Sequence, residues 1–425
     1  MLDIKFIRQN PEVVKKNCAL RGVKVDVDAL LALDVTRREL MQKAEELRAQ
    51  RNQKSQGKPT AEEIEKLRQV GDDIVALEAK LAEVEAQYYQ ILLSIPNLTH
   101  PDVPAGGEED FKILETHGKA PTFDFTPKDH EELLVDLGLL DFERGAKVAG
   151  AKFYFAKGAL ARLNQALINY GIDVVTKRGY ELMETPDLAK GEILSGIGFN
   201  PRGPEAQVYQ VSHELGDTDL NLIATAEITV GGYHKDEILD LSKGPKKYVA
   251  LSHCFRTEAG AYGRTSKGLY RVHQFTKLEM FVFCKPEDSE AMHQELLSIE
   301  KELIDGLEIP YQVIDVATGD LGGPAYRKYD LEAWMVMRNP PAGGGYGEIT
   351  STSNCTDYQA RRLNIRYRND QNETEFVHTL NGTAIVTSRL PIAIAENYQT
   401  AEGTIKVPEV LQKYMSGLKE IKSQE

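Results

Sequence analysis

An uninterrupted hydrophobic repeat follows residue 60, and it limits the possible folds of this chain more than any other feature. Apolar side chains recur three and four residues apart over more than three heptads, which is the repeat of a coiled-coil seam. Its members are Leu67, Val70, Ile74, Leu77, Leu81, Val84, Tyr88 and Ile91. The pattern therefore predicts a long helix with one apolar stripe that must pack against a partner helix.

The preceding stretch supplies that partner. Residues 27–53 carry Leu33, Leu40, Ala44 and Leu47 at heptad-like spacing, and Ser55–Pro59 has the composition of a turn. Thr60-Ala-Glu-Glu63 fits a capping box that would start the second helix. We therefore predict an antiparallel helical hairpin about 50 Å long, which is too narrow to form a domain core and should project as an arm.

Charge is unevenly distributed along this predicted arm. Residues 37–70, which include the tip, hold nine basic and six acidic side chains, whereas residues 71–91 hold five acidic side chains and Lys80. A net charge of −14 argues against indiscriminate coating of nucleic acid, but a local basic patch can still bind a polyanion. Two interpretations stay open: a solvated coiled-coil surface, or a basic tip that reaches a polyanion.

A change of pattern marks a second domain. Residues 94–107 contain three prolines and two glycines, so we place a linker there and domains at 1–106 and 107–425. Strand patterns then recur near 207–211, 221–223, 248–255, 271–284, 312–315 and 328–337, with a helix over about 287–306. Because the strands are grouped in hairpins, the pattern predicts an α+β fold with an antiparallel sheet.

Several classes of protein and site are excluded or disfavoured. No apolar run approaches the roughly 20 residues that span a bilayer, and no signal pattern opens the chain, so we expect a cytoplasmic protein. The four cysteines are scattered, which favours reduced structural thiols over a metal site. Neither a Rossmann nor a P-loop phosphate motif occurs, so any nucleotide must be held in another way.

The strongest chemical signal lies in residues 255–280, which read as a long hairpin with charged residues at both strand ends. Arg256 and Glu258 follow the first strand, Arg271 and Glu279 lie on the second, and three glycines punctuate the segment between them. A solvated basic loop would also explain this segment alone. Three further clusters narrow the choice: Thr225-Ala-Glu227 at the end of a strand, Glu348-Ile-Thr-Ser351, and His378–Thr383 followed by Arg389.

Taken together, these motifs resemble the bacterial seryl-tRNA synthetases, which are class II aminoacyl-tRNA synthetases. The resemblance covers essentially the whole chain in order. The motifs that carry it are Asp3–Arg8, the helical arm, Ile95-Pro-Asn97, Pro127-Lys-Asp-His130, Phe255–Gly260, Arg271–Glu279, Gly347–Asn354, Gln359–Arg362 and His378–Gln399. It implies an antiparallel sheet that binds ATP in a bent form, with Mg²⁺, and it implies a homodimer.

The resemblance also implies a role for individual residues. Arg256 would bridge the substrate carboxylate and the ATP α-phosphate, and Arg389 and Glu348 would complete the catalytic set. The implied ATP-binding residues are Arg256, Thr257, Glu258, Val272, Phe275, Glu348, Ile349, Thr350, Ser351 and Arg389, of which Glu348 and Ser351 would hold Mg²⁺. The implied serine-binding residues are Thr225, Ala226, Glu227, Arg256, Glu279, Asn381 and Thr383.

The implied reaction forms seryl-adenylate from L-serine and ATP and then transfers serine to tRNA(Ser). The arm would bind the long variable arm of this tRNA, and whether tRNA(Sec) is also charged stays open. The candidate tRNA-binding residues are Arg48, Arg51, Lys54, Lys58, Arg264 and Lys267. The alternatives are a paralogue that charges a non-tRNA carrier, which should lack the arm, and a non-catalytic RNA-binding scaffold, which should have lost Arg256, Glu348 or Arg389.

Overall fold

The computed structural model describes residues 1–54, 60–199, 208–212, 219–258, 267–338 and 343–423, with the backbone alone at residues 53, 54, 61 and 63. It consists of two compact units, Met1–Leu98 and Thr99–Glu425. This division falls within the predicted linker, a few residues before the predicted boundary at 106.

The first unit is helical. Its described helices are α1 (Ile4–Gln9), α2 (Pro11–Leu20), α3 (Val27–Lys54) and α4 (Ala61–Ser94). The ion pairs Arg37–Glu85 (2.9 Å) and Arg48–Glu78 (2.6 Å) show that α3 and α4 run antiparallel, because residue numbers rise on one helix as they fall on the other. All eight predicted seam residues of α4 are buried or half-buried, so the helical hairpin is confirmed. The turn at 55–59 and the Glu63 side chain of the capping box lie outside the described residues.

The second unit mixes helices and strands. Its described helices are α5 (His130–Asp136), α6 (Phe142–Ala149), α7 (Gly158–Lys177), α8 (Gly191–Ile197), α9 (Ala226–Tyr233), α10 (Ser289–Gly306), α11 (Tyr358–Leu363), α12 (Leu390–Asn397) and α13 (Glu409–Gln412). Its described strands are β1 (Lys112–His117), β2 (Leu140–Asp141), β3 (Phe155–Ala156), β4 (Glu181–Glu184), β5 (Leu188–Lys190), β6 (Leu220–Leu222), β7 (Ile238–Leu239), β8 (Lys246–Phe255), β9 (Gln274–Cys284), β10 (Tyr311–Asp315), β11 (Arg327–Met335), β12 (Gly345–Asn354), β13 (Arg366–Arg368), β14 (Thr374–Phe376), β15 (His378–Val386), β16 (Ile405–Lys406) and β17 (Glu420–Ile421).

Eight of the described strands form the main sheet, in the order β1-β10-β11-β12-β15-β9-β8-β4. All neighbours in it are antiparallel except β4 and β8, which are parallel. The predicted antiparallel sheet is therefore confirmed. The predicted hairpin at 255–280 is also confirmed, because β8 and β9 pair along ten residues of each strand.

Helices cover the two faces of the sheet unequally. α7, α10 and α12 pack on one face and enclose the large core around Leu278, Leu331 and Ile385. α8, α9 and α11 cover only one end of the other face, where they enclose a smaller core around Phe281 and Phe283. The rest of that second face is open to a pocket.

Sequence patterns predicted β8, β9, β10 and β11 of the main sheet but missed β1, β12 and β15. β15 begins with His378 and is buried along most of its length, so it lacks the alternation that identifies a half-exposed strand. The predicted strand near 207–211 is wrong over its described residues, 208–211, where Gln210 forms only an isolated antiparallel bridge with Asn221. None of the described helices combines the length and apolar character that crossing a bilayer requires. All four cysteines are reduced and buried, as predicted.

Candidate active site

The pocket opens where two central strands of the sheet separate. β12 and β15 pair only where Thr352–Asn354 lies opposite Leu380–Gly382. From Thr352 back towards the start of β12, the two backbones no longer hydrogen-bond to each other. The resulting cavity has a volume of about 1240 Å³. This exceeds the roughly 300–1,000 Å³ of an ordinary small-molecule site, so the pocket has room for more than one substrate.

Strand register places the hairpin residues in this pocket. Successive side chains of a strand point to opposite faces, so Phe275, Lys277 and Glu279 of β9 share the pocket face. Arg256 continues the β8 register, since its backbone N–H donates to His273 O at 3.0 Å. Its guanidinium carbon therefore lies 5.2 Å from the centre of the Phe275 ring, and its Nε–H donates to Ala224 O at 3.4 Å.

A β-bulge in β12 brings Glu348 and Ser351 to the same face. Leu331 of β11 pairs with Thr350, whereas the next residue, Glu332, pairs with Glu348, which leaves Ile349 as the extra residue. One extra residue reverses the side-chain alternation, so two residues three positions apart can both face the pocket. Both are oxygen donors of the kind that Mg²⁺ prefers.

Arg389 and Tyr270 surround Glu348. Arg389 donates to the Glu348 carboxylate at 3.1 Å and to the Glu348 backbone oxygen at 2.9 Å. Its guanidinium also stacks on the Tyr270 ring at 4.4 Å. Burial alone would raise the pKa of Glu348, but Arg389 and Lys328 outweigh burial and lower that pKa to about 2. Glu348 is therefore ionised at neutral pH, as a cation ligand must be.

A hydrogen-bonded acidic network forms the other end of the pocket. Glu227 Oε1 accepts from Gln359 Nε2 at 2.8 Å and from Asn381 Nδ2 at 3.0 Å. Thr383 Oγ1 donates to Glu279 Oε2 at 3.2 Å, because these two residues are directly opposed in β15 and β9. Burial, together with the charge of Glu279, raises the pKa of Glu227 to about 7. This end can thus accept hydrogen bonds from an ammonium group and a hydroxyl.

The raised pKa of Glu227 predicts a pH-dependent stability difference. Its ordinary pKa is 4.5, so ionisation increasingly destabilises the ligand-free fold as pH rises from about 4.5 to about 7. The Glu227→Gln variant cannot ionise at this position. Its free energy of unfolding, taken relative to that of the unsubstituted protein, should therefore rise by on the order of 1–2 kcal/mol between pH 5 and pH 8, a value reduced for partial solvent access. Urea unfolding at both pH values measures this gain, with the exposed Glu373→Gln as a control; a gain that does not grow with pH would contradict the prediction.

The structure brings together most of the predicted site residues of the second unit. The pocket is lined by Thr225, Glu227, Arg256, Glu258, Val272, Phe275, Glu279, Glu348, Ile349, Thr350, Ser351, Asn381, Thr383 and Arg389. Thr257 and Ala226 do not line it. The hydroxyl of Thr350 donates to Glu300 Oε2 at 3.1 Å, on the side of the sheet covered by α10. Thr225 caps the start of α9 rather than ending a strand, which corrects the expectation from sequence; its Oγ1 accepts from Glu227 N at 3.2 Å.

The predicted tRNA-binding residues that the structure describes lie outside the pocket and are distributed over both units. Arg48 and Arg51 lie on α3 and are exposed, and Arg48 is paired with Glu78. Lys267 forms an ion pair with Asp129. The Lys54 side chain, Lys58 and Arg264 lie outside the described residues.

Sequence reasoning missed Lys277, which is buried and forms an ion pair with Glu279 at 2.7 Å. Its position two residues before Glu279 in an alternating strand could have revealed it. Lys328 and Asp330 of β11 also line the pocket and pair at 3.2 Å. Nothing local in their sequence signals this, because only the bulged pairing with β12 brings them beside Glu348. Within the described residues, no group of three or more His, Cys, Asp or Glu side chains could by itself hold a metal ion.

The geometry supports phosphoryl chemistry between two subsites. The charge of Arg256 acts on Glu348 at one end of the pocket and on Glu227 at the other. The end with Glu348, Arg389 and Lys328 suits a nucleotide with a divalent cation, and the acidic end with Glu227 and Glu279 suits an ammonium-bearing molecule. A guanidinium fork can hold oxygens of two molecules and stabilise charge that develops between them.

Comparisons with known proteins agree with this arrangement. Residues 209–398 match the tRNA synthetase class II core domain (G, H, P, S and T), and residues 1–99 match the seryl-tRNA synthetase N-terminal domain. A serine--tRNA ligase of Treponema denticola is 52% identical over 422 residues, covering 97% of this chain and 98% of that protein.

Solved structures give the same result. The seryl-tRNA synthetase of Pyrococcus horikoshii complexed with ATP has a TM-score of 0.88 and 40% sequence identity, with 100% of both chains covered. The cytoplasmic serine-tRNA ligase of Naegleria fowleri in complex with AMP has a TM-score of 0.85 and 35% identity, covering 100% of this chain and 99% of that chain.

Proposed function

This chain belongs to the seryl-tRNA synthetase family of class II aminoacyl-tRNA synthetases, and on that premise we propose how its residues divide the reaction. The enzyme activates L-serine with ATP, releases pyrophosphate, and transfers the seryl group to tRNA(Ser). The observation that carries the residue assignments is that one pocket joins Arg256 and Arg389 with the Glu227, Glu279 and Thr383 cluster.

ATP occupies the end of the pocket formed by β9, β12 and Arg389. Phe275 offers an aromatic face for the adenine ring, and Glu258 beside Arg271 accepts from the adenine amino group (the Arg271–Glu258 distance is 3.2 Å). Glu258 adopts a φ of +53°, a left-handed conformation that costs energy in a non-glycine residue and is found often at functional sites. Arg389 faces the γ-phosphate, and Thr257, Val272, Ile349 and Thr350 complete the proposed ATP set.

Glu348 and Ser351 would hold Mg²⁺. The donor set fits this ion, because an ionised carboxylate and a hydroxyl on one strand face are hard oxygen ligands. When bound, the ion neutralises phosphate charge, which is the chemistry that class II synthetases need with ATP.

Serine occupies the acidic end. Two donors, Gln359 and Asn381, fix the orientation of Glu227 through a single oxygen, so the carboxylate is preorganised for the serine ammonium group with Thr225 and Ala226 nearby. Glu279 and Thr383 read the serine hydroxyl. A site built around such groups rejects alanine, because its buried polar atoms would be left without hydrogen bonds.

Both chemical steps are then displacements that need positioning more than a protein nucleophile. A serine carboxylate oxygen forms a bond to the ATP α-phosphorus, and the bond from that phosphorus to the bridging oxygen of pyrophosphate breaks. A terminal ribose hydroxyl of the tRNA next attacks the seryl carbonyl, loses its proton, and releases AMP. Arg256 stabilises the charge that develops at phosphorus in the first step.

Thr383→Val tests the hydroxyl-reading role, because it replaces a hydroxyl by a methyl group of similar size. We expect kcat/KM for serine in ATP–pyrophosphate exchange to fall by about tenfold to a hundredfold, the value of one hydrogen bond to a charged group. The rate with alanine should not fall, so discrimination between the two amino acids narrows. Thr176→Val on α7 removes a hydroxyl outside the pocket and is the control; equal losses for serine and alanine would contradict the role of Thr383.

The whole family assignment is tested by exchange across the amino acids, followed by charging of total tRNA. Exchange with threonine or alanine but not serine would overturn it. The comparisons give no support to the carrier-charging or scaffold alternatives, since the serine ligases match both the arm and the catalytic unit.

We further assign the tRNA-binding helical arm to residues 1–106, and the catalytic unit, with the tRNA-binding residues Arg264 and Lys267, to residues 107–425. The tRNA-binding set comprises Arg48, Arg51, Lys54, Lys58, Arg264 and Lys267. We also propose a homodimer in the cytoplasm, with tRNA(Sec) as a candidate second substrate; sedimentation and charging of purified tRNA(Sec) test the first and last of these.

A further inference from the structure

Two sequence motifs outside the proposed substrate contacts dock against each other. They are Pro127-Lys-Asp-His130, at the start of α5, and Glu396-Asn-Tyr-Gln399, at the end of α12. Gln399 Oε1 accepts from Lys128 N at 2.8 Å, and Gln399 Nε2 donates to Lys128 O at 2.9 Å. His130 N donates to Glu396 Oε1 at 2.8 Å. The two segments are thus joined by both backbone and side-chain hydrogen bonds.

At the centre of this junction lies a fully buried imidazole–carboxylate pair. His130 Nδ1 is 2.8 Å from Glu396 Oε1, and both side chains have 0% exposure. His130 Nε2 accepts from the backbone N–H of Leu269 at 3.0 Å. Because Nε2 is an acceptor, the ring proton lies on Nδ1 and is donated to Glu396. Both ring nitrogens are therefore hydrogen-bonded, Nδ1 to Glu396 and Nε2 to the Leu269 backbone.

The imidazole side of the pair fixes one wall of the ATP end. Gly268 has a φ of +58°, and a Cβ at this position would lie 2.1 Å from His130 Nε2. The backbone at 268–269 is thus held against the ring by a hydrogen bond and by close packing. Tyr270 follows directly; its ring stacks under Arg389, and its hydroxyl donates to Glu348 O at 3.3 Å.

The carboxylate side fixes a second wall of the same end. Glu396 Oε2 accepts from the Met337 backbone N–H at 3.0 Å. The next residue, Arg338, stacks on Tyr270 at 5.5 Å and donates to Tyr346 O at 3.1 Å. Tyr270, Arg338 and Tyr346 all line the pocket. One buried pair therefore holds two chain segments that converge on Tyr270.

We propose that His130 and Glu396 are positioning residues for ATP, which set the spacing of these two walls without touching a substrate. Burying an ionisable pair is costly unless every partner is satisfied, and here the carboxylate accepts three hydrogen bonds, two from His130 and one from the Met337 backbone. The proposal rests on the assignment of this end of the pocket to ATP.

Steady-state ATP–pyrophosphate exchange with the full-length protein tests it through separate KM values for ATP and serine. His130→Ala and Glu396→Gln should each raise the KM for ATP by about tenfold or more, since small displacements in a binding site have effects of this size. The KM for serine should stay unchanged, because the serine end rests on β9, β15 and α9. Equal changes in both KM values, or a fall in kcat alone, would indicate general structural damage and overturn the proposal.

Two conservative variants of His130 separate its hydrogen bond to Glu396 from its hydrogen bond to Leu269. His130→Asn keeps a donor near Nδ1 for Glu396 but loses the acceptor for Leu269, whereas His130→Gln can keep that acceptor. We expect His130→Gln to retain a lower KM for ATP than His130→Asn; the reverse order would contradict the role of the Leu269 contact.

A glycine pair provides a test that leaves His130 in place. Gly268→Ala forces a methyl group onto His130 and should raise the KM for ATP. Gly179→Ala also places an alanine at a left-handed φ (+83°), but a Cβ there meets nothing within 4 Å, so its KM for ATP should stay unchanged. Matching KM values in the two variants would overturn the proposal. If the unsubstituted protein itself lacked serine-dependent exchange, the assignment of function would fail instead, so the two failures are distinguishable.

Discussion

Replacing Arg256 by alanine is expected to lower serine-dependent ATP–pyrophosphate exchange by about 10³-fold. Arg256 is the one proposed residue that belongs to both substrate sets, so its loss removes the bridge between the serine carboxylate and the α-phosphate. The effect should appear mainly in kcat, because the charge that it stabilises develops in the transition state. Exchange kinetics at saturating serine and ATP measure it.

Arg256→Lys separates charge from geometry. Lysine keeps the positive charge but cannot present two parallel donors, so we expect a loss between those of the unsubstituted protein and the alanine variant. Full activity in Arg256→Lys would show that the fork is unnecessary.

Arg366→Ala is a matched control. Arg366 also stacks on a phenylalanine, with its guanidinium carbon 4.5 Å from the Phe376 ring, and it also makes one hydrogen bond, to Asn364 at 3.1 Å. It lies outside the pocket. We expect full exchange activity in this variant, so a similar loss in both would point to stability rather than to catalysis.

Shortening the helical hairpin should abolish tRNA charging while adenylate formation continues. The structure suggests removing residues 43–80 and closing the gap with a short glycine-rich turn. This keeps the buried Asp34 and Tyr88 and the Arg37–Glu85 ion pair at the base of the hairpin. It removes most of the basic tip, and we expect the rate of charging at low tRNA concentration to fall by about 10³-fold.

Exchange and charging are to be measured on the same preparation, so that a folding defect would lower both. A charge variant refines the test: Arg51→Glu at the tip should raise the KM for tRNA and weaken its salt dependence. Lys80→Glu, in the acidic half of the hairpin, should have a smaller effect. Charging that survives the truncation would refute the role of the arm.

Much of the architecture follows from local pattern. The seam of α4 predicts the helical hairpin because its 3.5-residue period is long and unbroken, and the alternation in 271–284 predicts β9 because one face is apolar. β15 escaped prediction because both of its faces are buried, which removes the alternation. Thr225 was misplaced for a related reason, since a hydroxyl after an apolar run suits the end of a strand or the cap of a helix equally well.

By itself the sequence determined the helical arm, the antiparallel sheet and the resemblance that names most of the pocket residues. Local periodicity and motif order are properties of the chain, and neighbouring residues are enough to express them. Only the tertiary structure decided that Ile349 is a bulge residue, so that Glu348 and Ser351 face one pocket, and that Lys277 pairs with Glu279. It also decided that His130 lies between Glu396 and Leu269. These relations join residues far apart in the chain or reverse a local alternation, and they arise from strand register and helix packing, which no local pattern specifies.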